Sequence, residues 1–156
     1  MLPHFTTYVL TFLLVAVNWL FHHRMLNLVT RVDGPFIWVN ICYLLTISFI
    51  PFPSALFGAY PNEFFCFVLL LGSMMLEGSL SMLMVWYATR NNRLVNRELP
   101  AVMIKYLLFR IPISLMVFLT AIPLAFYSIR RAEFFRLVLF PVHRLTKKYF
   151  EKLAKE

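Results

Sequence analysis

The chain has 156 residues, of which 61% are hydrophobic and 14% are charged, and its formal net charge is +8. Soluble globular domains are about half apolar and about a quarter charged, so this composition excludes a soluble fold of any class. The apolar residues form blocks that approach the ~20 residues a helix needs to cross a bilayer. The sequence therefore predicts an all-α integral membrane protein, a polytopic transmembrane helix bundle with about five membrane segments.

The basic residues lie between the apolar blocks and in the tail from Arg144 to Lys155, not on one continuous face. We interpret them as topology signals and lipid-headgroup contacts, so the predicted partner is the lipid bilayer and not a nucleic acid. Cys42 and Cys66 lie inside apolar blocks without Cys-x-x-Cys spacing, which predicts buried thiols and no metal site.

The apolar blocks predict one membrane domain over residues 1–156, with segments at approximately 5–23, 35–57, 64–88, 106–129 and 134–148. The second block is uncharged, and Pro51 and Pro53 near its end predict that the helix stops or kinks there, because proline lacks an amide donor. The fourth block is uncharged from Ile111 to Ile129, and Lys105 and Arg110 precede this uncharged run. The last is short and interrupted by Arg136, so it either crosses with snorkelling flanks or lies along the interface.

The orientation of the segments follows from the loops, because basic residues in short loops mark the cytoplasmic side. This rule places two groups of residues inside: Arg24 and Arg31, and then Arg90, Arg93 and Arg97. The uncharged turn after the second block then lies outside. A fifth crossing would return the basic tail to the inside.

Polar residues of the first segment recur at spacings of four and seven, which places them on one helical face. They are Thr7, Thr11, Asn18 and His22, with Trp19 and His23 on the adjacent stripe. The pattern indicates either a hydrogen-bonded contact or polar pathway, or an interfacial belt of Trp and His at the helix end. Because adjacent helical residues point about 100° apart, His22 and His23 are poorly placed to chelate one ion.

Ser73, Glu77 and Ser81 follow at spacings of four in the third segment and predict a polar face inside the membrane. An ionisable residue at this depth is a functional-site hypothesis by default. The alternative is structural: Glu77 joins helices by hydrogen bonds, with Gly72 and Gly78 allowing their close approach. The sequence contains no nucleotide-binding loop, serine-hydrolase elbow or potassium-channel filter motif, so neither an enzyme nor a cofactor is predicted.

Several separated motifs carry a resemblance to one family. They are Trp19-Leu20-Phe21-His22-His23-Arg24, Arg31-Val32-Asp33-Gly34, Trp38-Val39-Asn40 and Ile47-Ser48-Phe49-Ile50-Pro51-Phe52-Pro53. In this order they resemble the prokaryotic TMEM175 potassium channels. The likeness is strong from about Tyr8 to Phe57, and beyond Phe64 it is mainly one of hydropathy and segment order.

The resemblance implies a six-helix subunit, four of which surround a pore that passes potassium without a re-entrant filter loop. The family's first helix carries a hydrophobic constriction and an Arg-x-x-x-Phe-Ser-Asp motif that bonds to the next two helices. This sequence lacks that motif and starts abruptly in an apolar block without a signal-peptide leader. We therefore expect the five blocks to be helices two to six of an N-terminally truncated member. The residues that the resemblance assigns to structural contacts of the family motifs are Trp19, His22, His23, Asn40, Pro51 and Phe52.

The leading functional prediction is a leak-type potassium channel subunit that moves ions passively. We expect it to form a homo-oligomer, which the resemblance implies is a tetramer, and to reside in a bacterial plasma membrane. The alternative is a non-conducting truncated membrane module that assembles with full-length relatives and modulates them. A third hypothesis, ranked below both, is a small membrane enzyme or metal transporter that uses His22, His23 and Glu77.

Overall fold

The computed structural model describes residues 2–95 and 101–153, and the regular elements in these ranges are helices. They are α1 (Leu2–Leu26), α2 (Gly34–Phe49), α3 (Pro51–Ala59), α4 (Phe64–Thr89), a 3-10 turn (Arg90–Asn92), α5 (Ala101–Tyr127), α6 (Ile129–Arg136) and α7 (Leu139–Leu153). The all-α prediction is confirmed. Arg97 lies outside the described residues.

Three spans among the described residues are long and apolar enough to cross a membrane: Gly34–Ala59, Phe64–Thr89 and Ile104–Tyr127. The first combines α2 and α3, and the other two correspond to α4 and most of α5. Helix α5 begins at Ala101, so Lys105 and Arg110, which precede the uncharged run, belong to the helix itself. The protein is an integral membrane protein built from apolar helices.

The break between α2 and α3 lies at the predicted proline. Pro51 opens α3, where its missing amide leaves no helical hydrogen bond unmade. Ile50 keeps a right-handed helical backbone, and its N–H reaches the carbonyls of both Thr46 and Ile47. The helix is therefore interrupted between α2 and α3 while the φ and ψ angles of Ile50 stay in the right-handed helical region. Phe52 is exposed just after the break, with its ring 5.6 Å from that of Phe49.

Helix α4 is the centre of the bundle, because it packs against α2, α3 and α5, while α1 lies on α3. Two apolar clusters hold these contacts. The first includes Phe36, Tyr43 and Met84 near the start of α2 and the end of α4. The second includes Phe57 near the end of α3 and Phe67 near the start of α4. Apolar side chains thus connect α4 to its neighbours at both ends.

The loop after α1 and the loop after α4 are joined by backbone contacts. Val29 and Val95 form an isolated antiparallel bridge, and the Thr30 N–H donates to the Leu94 carbonyl at 2.8 Å. The basic residues of these loops therefore lie at the same end of the bundle, as the orientation rule requires of loops on one side of a membrane.

Helices α6 and α7 run back along α5. Ala132 of α6 packs in the same buried cluster as Ala121 and Ala125 of α5. Farther along, the Ser114 hydroxyl lies 3.1 Å from His143 Nε2 of α7, and the rings of Tyr106 and Phe150 are 5.6 Å apart. Helix α7 consequently ends beside the beginning of α5. Helix α7 has 15 residues, fewer than the ~20 that a spanning helix needs.

Candidate functional site

The buried centre of the predicted polar face of α1 is His22. Its side chain is 2% exposed, and its Nε2 atom lies 2.7 Å from Oδ1 of Asn40 on α2. Because an amide oxygen only accepts hydrogen bonds, His22 donates through Nε2. The imidazole also stacks on the Tyr43 ring at a centroid distance of 4.8 Å. This cluster joins α1 to α2.

The other predicted residues of α1 separate into different environments. Thr11 Oγ1 lies 2.7 Å from the Ser54 hydroxyl of α3, whereas Asn18 lines a cavity beside α4 and α5. The side chain of Thr7 lies outside the described residues. The three described residues of this face therefore lie in three different environments.

Trp19 and His23 remain accessible on the outside of α1. The Trp19 side chain is 54% exposed, and its ring lies 6.5 Å from that of His23 in a stacked arrangement. Asn40, which belongs to the same set of family-motif residues, is hydrogen-bonded to His22. Four of the family-motif residues thus form an internal pair, His22 and Asn40, and an external pair, Trp19 and His23.

The predicted polar face of α4 is also divided. Ser73 is buried, and its hydroxyl donates to the Leu70 carbonyl of its own helix at 2.8 Å. Glu77 is half-buried and faces the Tyr43 hydroxyl. Ser81 is buried at 2% exposure, and within the described part of the chain its Oγ atom has no hydrogen-bond partner. Only Glu77 and Ser81 share a cavity.

That cavity has a volume of about 510 Å³ and lies between α1, α4, α5 and the α6–α7 segment. Its walls are mostly apolar and aromatic. Its polar lining comprises Asn18, Glu77, Ser81, Arg110, Ser114, Glu133 and His143. The Arg110 guanidinium lies 5.2 Å from the centroid of the Phe21 ring, where the aromatic face stabilises a cation.

A second polar cluster lies at the loop end of the bundle. The Tyr87 hydroxyl donates to Asp33 Oδ2 at 2.8 Å, and Arg93 Nη2 lies 3.1 Å from the same oxygen. The Phe36 N–H donates to Oδ1, so Asp33 also caps α2. Partial burial raises the pKa of Asp33, but the bonds from Tyr87 and Phe36 and the Arg93 charge outweigh that effect and lower its pKa.

Sequence reasoning missed several members of these clusters. Tyr43 follows Asn40 by three positions, so helical spacing could have placed the two on one face of α2. No local signal connects His143 with Ser114, because 29 residues separate them and the contact depends on the return of α7 along α5. Among the described residues, no group of three or more His, Cys, Asp or Glu side chains is arranged to hold a metal ion.

The fold and these clusters define a polytopic α-helical membrane protein with a buried polar contact between its first two helices and a polar cavity within the bundle. Residues 1–51 match the model of the family described as Endosomal/lysosomal potassium channel TMEM175. Over these residues the chain is similar to the TMEM175 family.

Individual relatives match parts of the chain. A zebrafish (Danio rerio) protein named Endosomal/lysosomal proton channel TMEM175 is 28% identical over 92 residues, 59% of this chain and 18% of that protein. A protein from Streptomyces collinus named as a potassium channel is 31% identical over 61 residues, 39% of this chain and 30% of that protein. Another so named, from Chamaesiphon minutus, is 36% identical over 58 residues, 37% of this chain and 29% of that protein.

The chain therefore spans less than a third of the length of these relatives, and no solved structure matches it significantly. The names also differ in the ion. The animal protein is named as a proton channel, and the bacterial proteins are named as potassium channels.

Proposed function

We propose that this chain is a subunit of a TMEM175-like channel that lets potassium cross a bacterial plasma membrane passively, within a homo-oligomer. The observation that carries the proposal is the match of residues 1–51 to the TMEM175 family model, combined with bacterial relatives that are named potassium channels. Passive flow needs no catalytic residue, nucleotide or cofactor. The proposal includes none of them.

The outer surface of α1 supports assembly with other helices. Trp19 and His23 are exposed there, next to the buried His22, whose hydrogen bond to Asn40 joins α1 to α2. A Trp face held on a rigid helix suits a protein contact, because an aromatic ring buries a large area with little loss of side-chain entropy. We assign this surface to contact with another helix of the assembled channel.

Flux measurements on the purified chain in liposomes test the proposal. We expect potassium efflux above that of protein-free vesicles when the membrane potential is clamped with a proton carrier. A pH-sensitive dye in parallel vesicles measures proton flux, because the relatives are named for different ions. Potassium flux equal to that of empty vesicles would overturn conduction by this chain.

Trp19→Ala tests the role of the α1 surface. We expect it to reduce both the flux and the oligomer fraction in native mass spectra, because it removes the largest exposed ring of that face. The matched control is Trp86→Ala, since Trp86 is 44% exposed on α4 and lies outside the family match. Equal losses in the two variants would argue against a specific contact at Trp19.

A second candidate function is a non-conducting module that assembles with full-length relatives and modulates them. The exposed pair of Trp19 and His23 supports it, because an exposed aromatic surface on α1 suits contact with a helix of another protein. Co-reconstitution with a full-length bacterial relative tests it. We expect the chain to co-purify with the relative and change its flux at least twofold, and unchanged flux with no co-purification would exclude this role.

A further inference from the structure

Helix α7 presents a basic face on the outside of the bundle. Its sequence contains four Lys and Arg residues, against the single acidic residue Glu151. Three of the four, Arg144, Lys148 and Lys152, are exposed and follow each other at spacings of four. At this spacing the Cβ atoms lie along one line of the helix, about 6 Å apart. We call these three residues the basic row of α7.

The opposite face of α7 is fixed against α5. His143 Nε2 lies 3.1 Å from the Ser114 hydroxyl. The Phe150 ring lies 5.6 Å from that of Tyr106 and 6.1 Å from that of Phe109. Because these contacts occupy one side of α7 over two turns, they set its rotation about its own axis and direct the basic row away from α5.

An exposed apolar stripe lies beside the basic row. Leu145 is 67% exposed and Tyr149 is 63% exposed, and each follows a residue of the row by one position, about 100° around the helix. Helices at the boundary between lipid headgroups and acyl chains combine Lys and Arg with large apolar side chains in this way. Tyrosine suits that boundary because its ring is apolar and its hydroxyl is polar.

The basic row also lies at the level where the membrane boundary of α5 is expected. The uncharged part of α5 begins at Ile111, and the Phe150 ring contacts the turn of α5 that precedes it. Lys148 and Lys152 are each two positions from Phe150, or about 3 Å along the helix axis. Arg144 is more than one turn deeper, and its long side chain can extend its guanidinium towards the headgroups.

This boundary is on the side of the basic loops. The Arg110 guanidinium lies 5.2 Å from the centroid of the Phe21 ring, near the end of α1 at Leu26, where the first basic loop begins. Basic residues in short loops mark the cytoplasmic side of a membrane. Anionic lipids on that side attract basic segments, by about fivefold in affinity for each Lys or Arg near the surface.

We propose that the exposed face of α7 binds anionic phospholipids, with the headgroup phosphates at the basic row and the upper acyl chains against Leu145 and Tyr149. The partner is a lipid and not a nucleic acid or an acidic protein, because the row lies beside the end of an apolar span and next to an exposed apolar stripe. The site is tested by binding alone. A failure of the flux experiments leaves it standing, and its own failure leaves the channel proposal standing.

Native mass spectrometry of the full chain, released from detergent micelles with added lipid, measures the binding. The probe is phosphatidylglycerol, and phosphatidylcholine with the same acyl chains is the zwitterionic reference. We expect the wild-type chain to bind phosphatidylglycerol at least about tenfold more tightly, because three charges face its headgroup. Equal affinities for the two lipids would overturn the proposal.

Removal of the basic row tests its role, with Gln in place of each charge because Gln retains a high helix propensity. The variant combines Arg144→Gln, Lys148→Gln and Lys152→Gln. We expect it to bind phosphatidylglycerol at least about tenfold more weakly, and its unchanged binding of phosphatidylcholine shows that it is folded. The matched control removes three exposed charges at the same end of the bundle, by Arg24→Gln, Arg31→Gln and Arg90→Gln. Equal losses in the two variants would indicate a general attraction to the net charge and overturn the assignment to α7.

The apolar stripe distinguishes a lipid from a soluble polyanion. Leu145→Ser combined with Tyr149→Ser keeps every charge and removes the contact for acyl chains, so we expect binding of phosphatidylglycerol to weaken by about fivefold. We also expect single-stranded oligothymidine not to displace this lipid from the wild-type chain. Displacement by the oligonucleotide, or an unchanged lipid affinity of the serine variant, would overturn the choice of a lipid as the partner.

Discussion

Gly78 of α4 lies directly against Leu115 of α5, so that a Cβ atom added to Gly78 would come within 3.1 Å of the Leu115 Cδ2 atom. Gly72, six residues earlier on the same helix, has nothing within 4 Å of the equivalent position. The two glycines share a helix and differ in their neighbours. Alanine substitutions at the two glycines can therefore be compared to separate the effect of packing on stability from that of helix propensity.

We expect Gly72→Ala to raise the free energy of unfolding by about 0.4–1 kcal/mol, because alanine restricts the unfolded chain and meets nothing in the folded one. Gly78→Ala gains the same entropy, but Leu115 must move aside, so its benefit is smaller. Gly78→Leu overfills the contact and destabilises by about 1–3 kcal/mol. Thermal and denaturant unfolding in detergent measure all three. Identical effects of the two alanine substitutions would contradict the close contact with Leu115.

The hydrogen bond between His22 and Asn40 predicts a strong asymmetry between single and double substitutions. Asn40→Leu leaves the buried Nε2–H of His22 without an acceptor, so we expect a loss of about 1–3 kcal/mol of stability. Combining it with His22→Phe removes both polar partners and keeps a ring to stack on Tyr43, so the double variant recovers most of the loss. Asn27→Ala, at an exposed loop residue, is the control. Additive single effects would show that the two side chains are not coupled.

The Asp33 cluster predicts a pH dependence of stability. Because its bonds to Tyr87, Phe36 and Arg93 lower the pKa of Asp33 in the folded state, folding favours the carboxylate. The stabilisation is complete above the unfolded-state pKa of about 4 and is lost as the pH falls through the lower folded-state pKa. We expect the melting temperature of the wild-type chain to fall between pH 6 and pH 3 more steeply than that of Asp33→Asn.

Tyr87→Phe removes one donor to Asp33 and should reduce that pH dependence without abolishing it. Glu63→Gln is the control for the loss of a carboxylate, since Glu63 is exposed and provides no side-chain cap to α4. A parallel acid sensitivity of the wild type and Asp33→Asn would exclude the cluster as its source.

The contact between the loops at Val29 and Val95 predicts which positions share a side of the membrane. In a background with Cys42→Ser and Cys66→Ala, Asn27→Cys and Arg90→Cys should react with a membrane-impermeant maleimide from one side only. Asn62→Cys, in the turn between α3 and α4, should react from the other. The positive-inside rule predicts that only Asn62→Cys is labelled in intact cells. Labelling of all three from one side would contradict the α2–α3 and α4 spans.

Sequence patterns were sufficient to predict the features of the fold that depend on residues close together in the chain. Blocks of apolar residues indicated the helical class, and the chemistry of Pro51 indicated the break after α2. Spacing also placed Ser73, Glu77 and Ser81 on one helix. It could not show that the Ser73 hydroxyl bonds to its own backbone, since that depends on a rotamer and not on a helical face.

The features that depend on distant contacts were not predictable in the same way. His22 and His23 are equivalent in local sequence, yet one is buried and the other exposed, because Asn40 and Tyr43 of α2 cover only His22. The cavity combines residues of α1, α4, α5, α6 and α7. Its existence follows from how α7 returns along α5, which hydropathy alone left open between a crossing and an interfacial helix.

The bridge between Val29 and Val95 also sets the earliest point during synthesis at which the loops after α1 and α4 can meet. Its two halves are separated by 66 positions, so it closes only after Val95 has left the ribosome, when α1 to α4 already exist. Helix α5 begins at Ala101 and pairs with α6 and α7, which are made later still. The first four helices can therefore close on themselves before the last three are added, and α5 inserts beside a surface of α4 that is already in place.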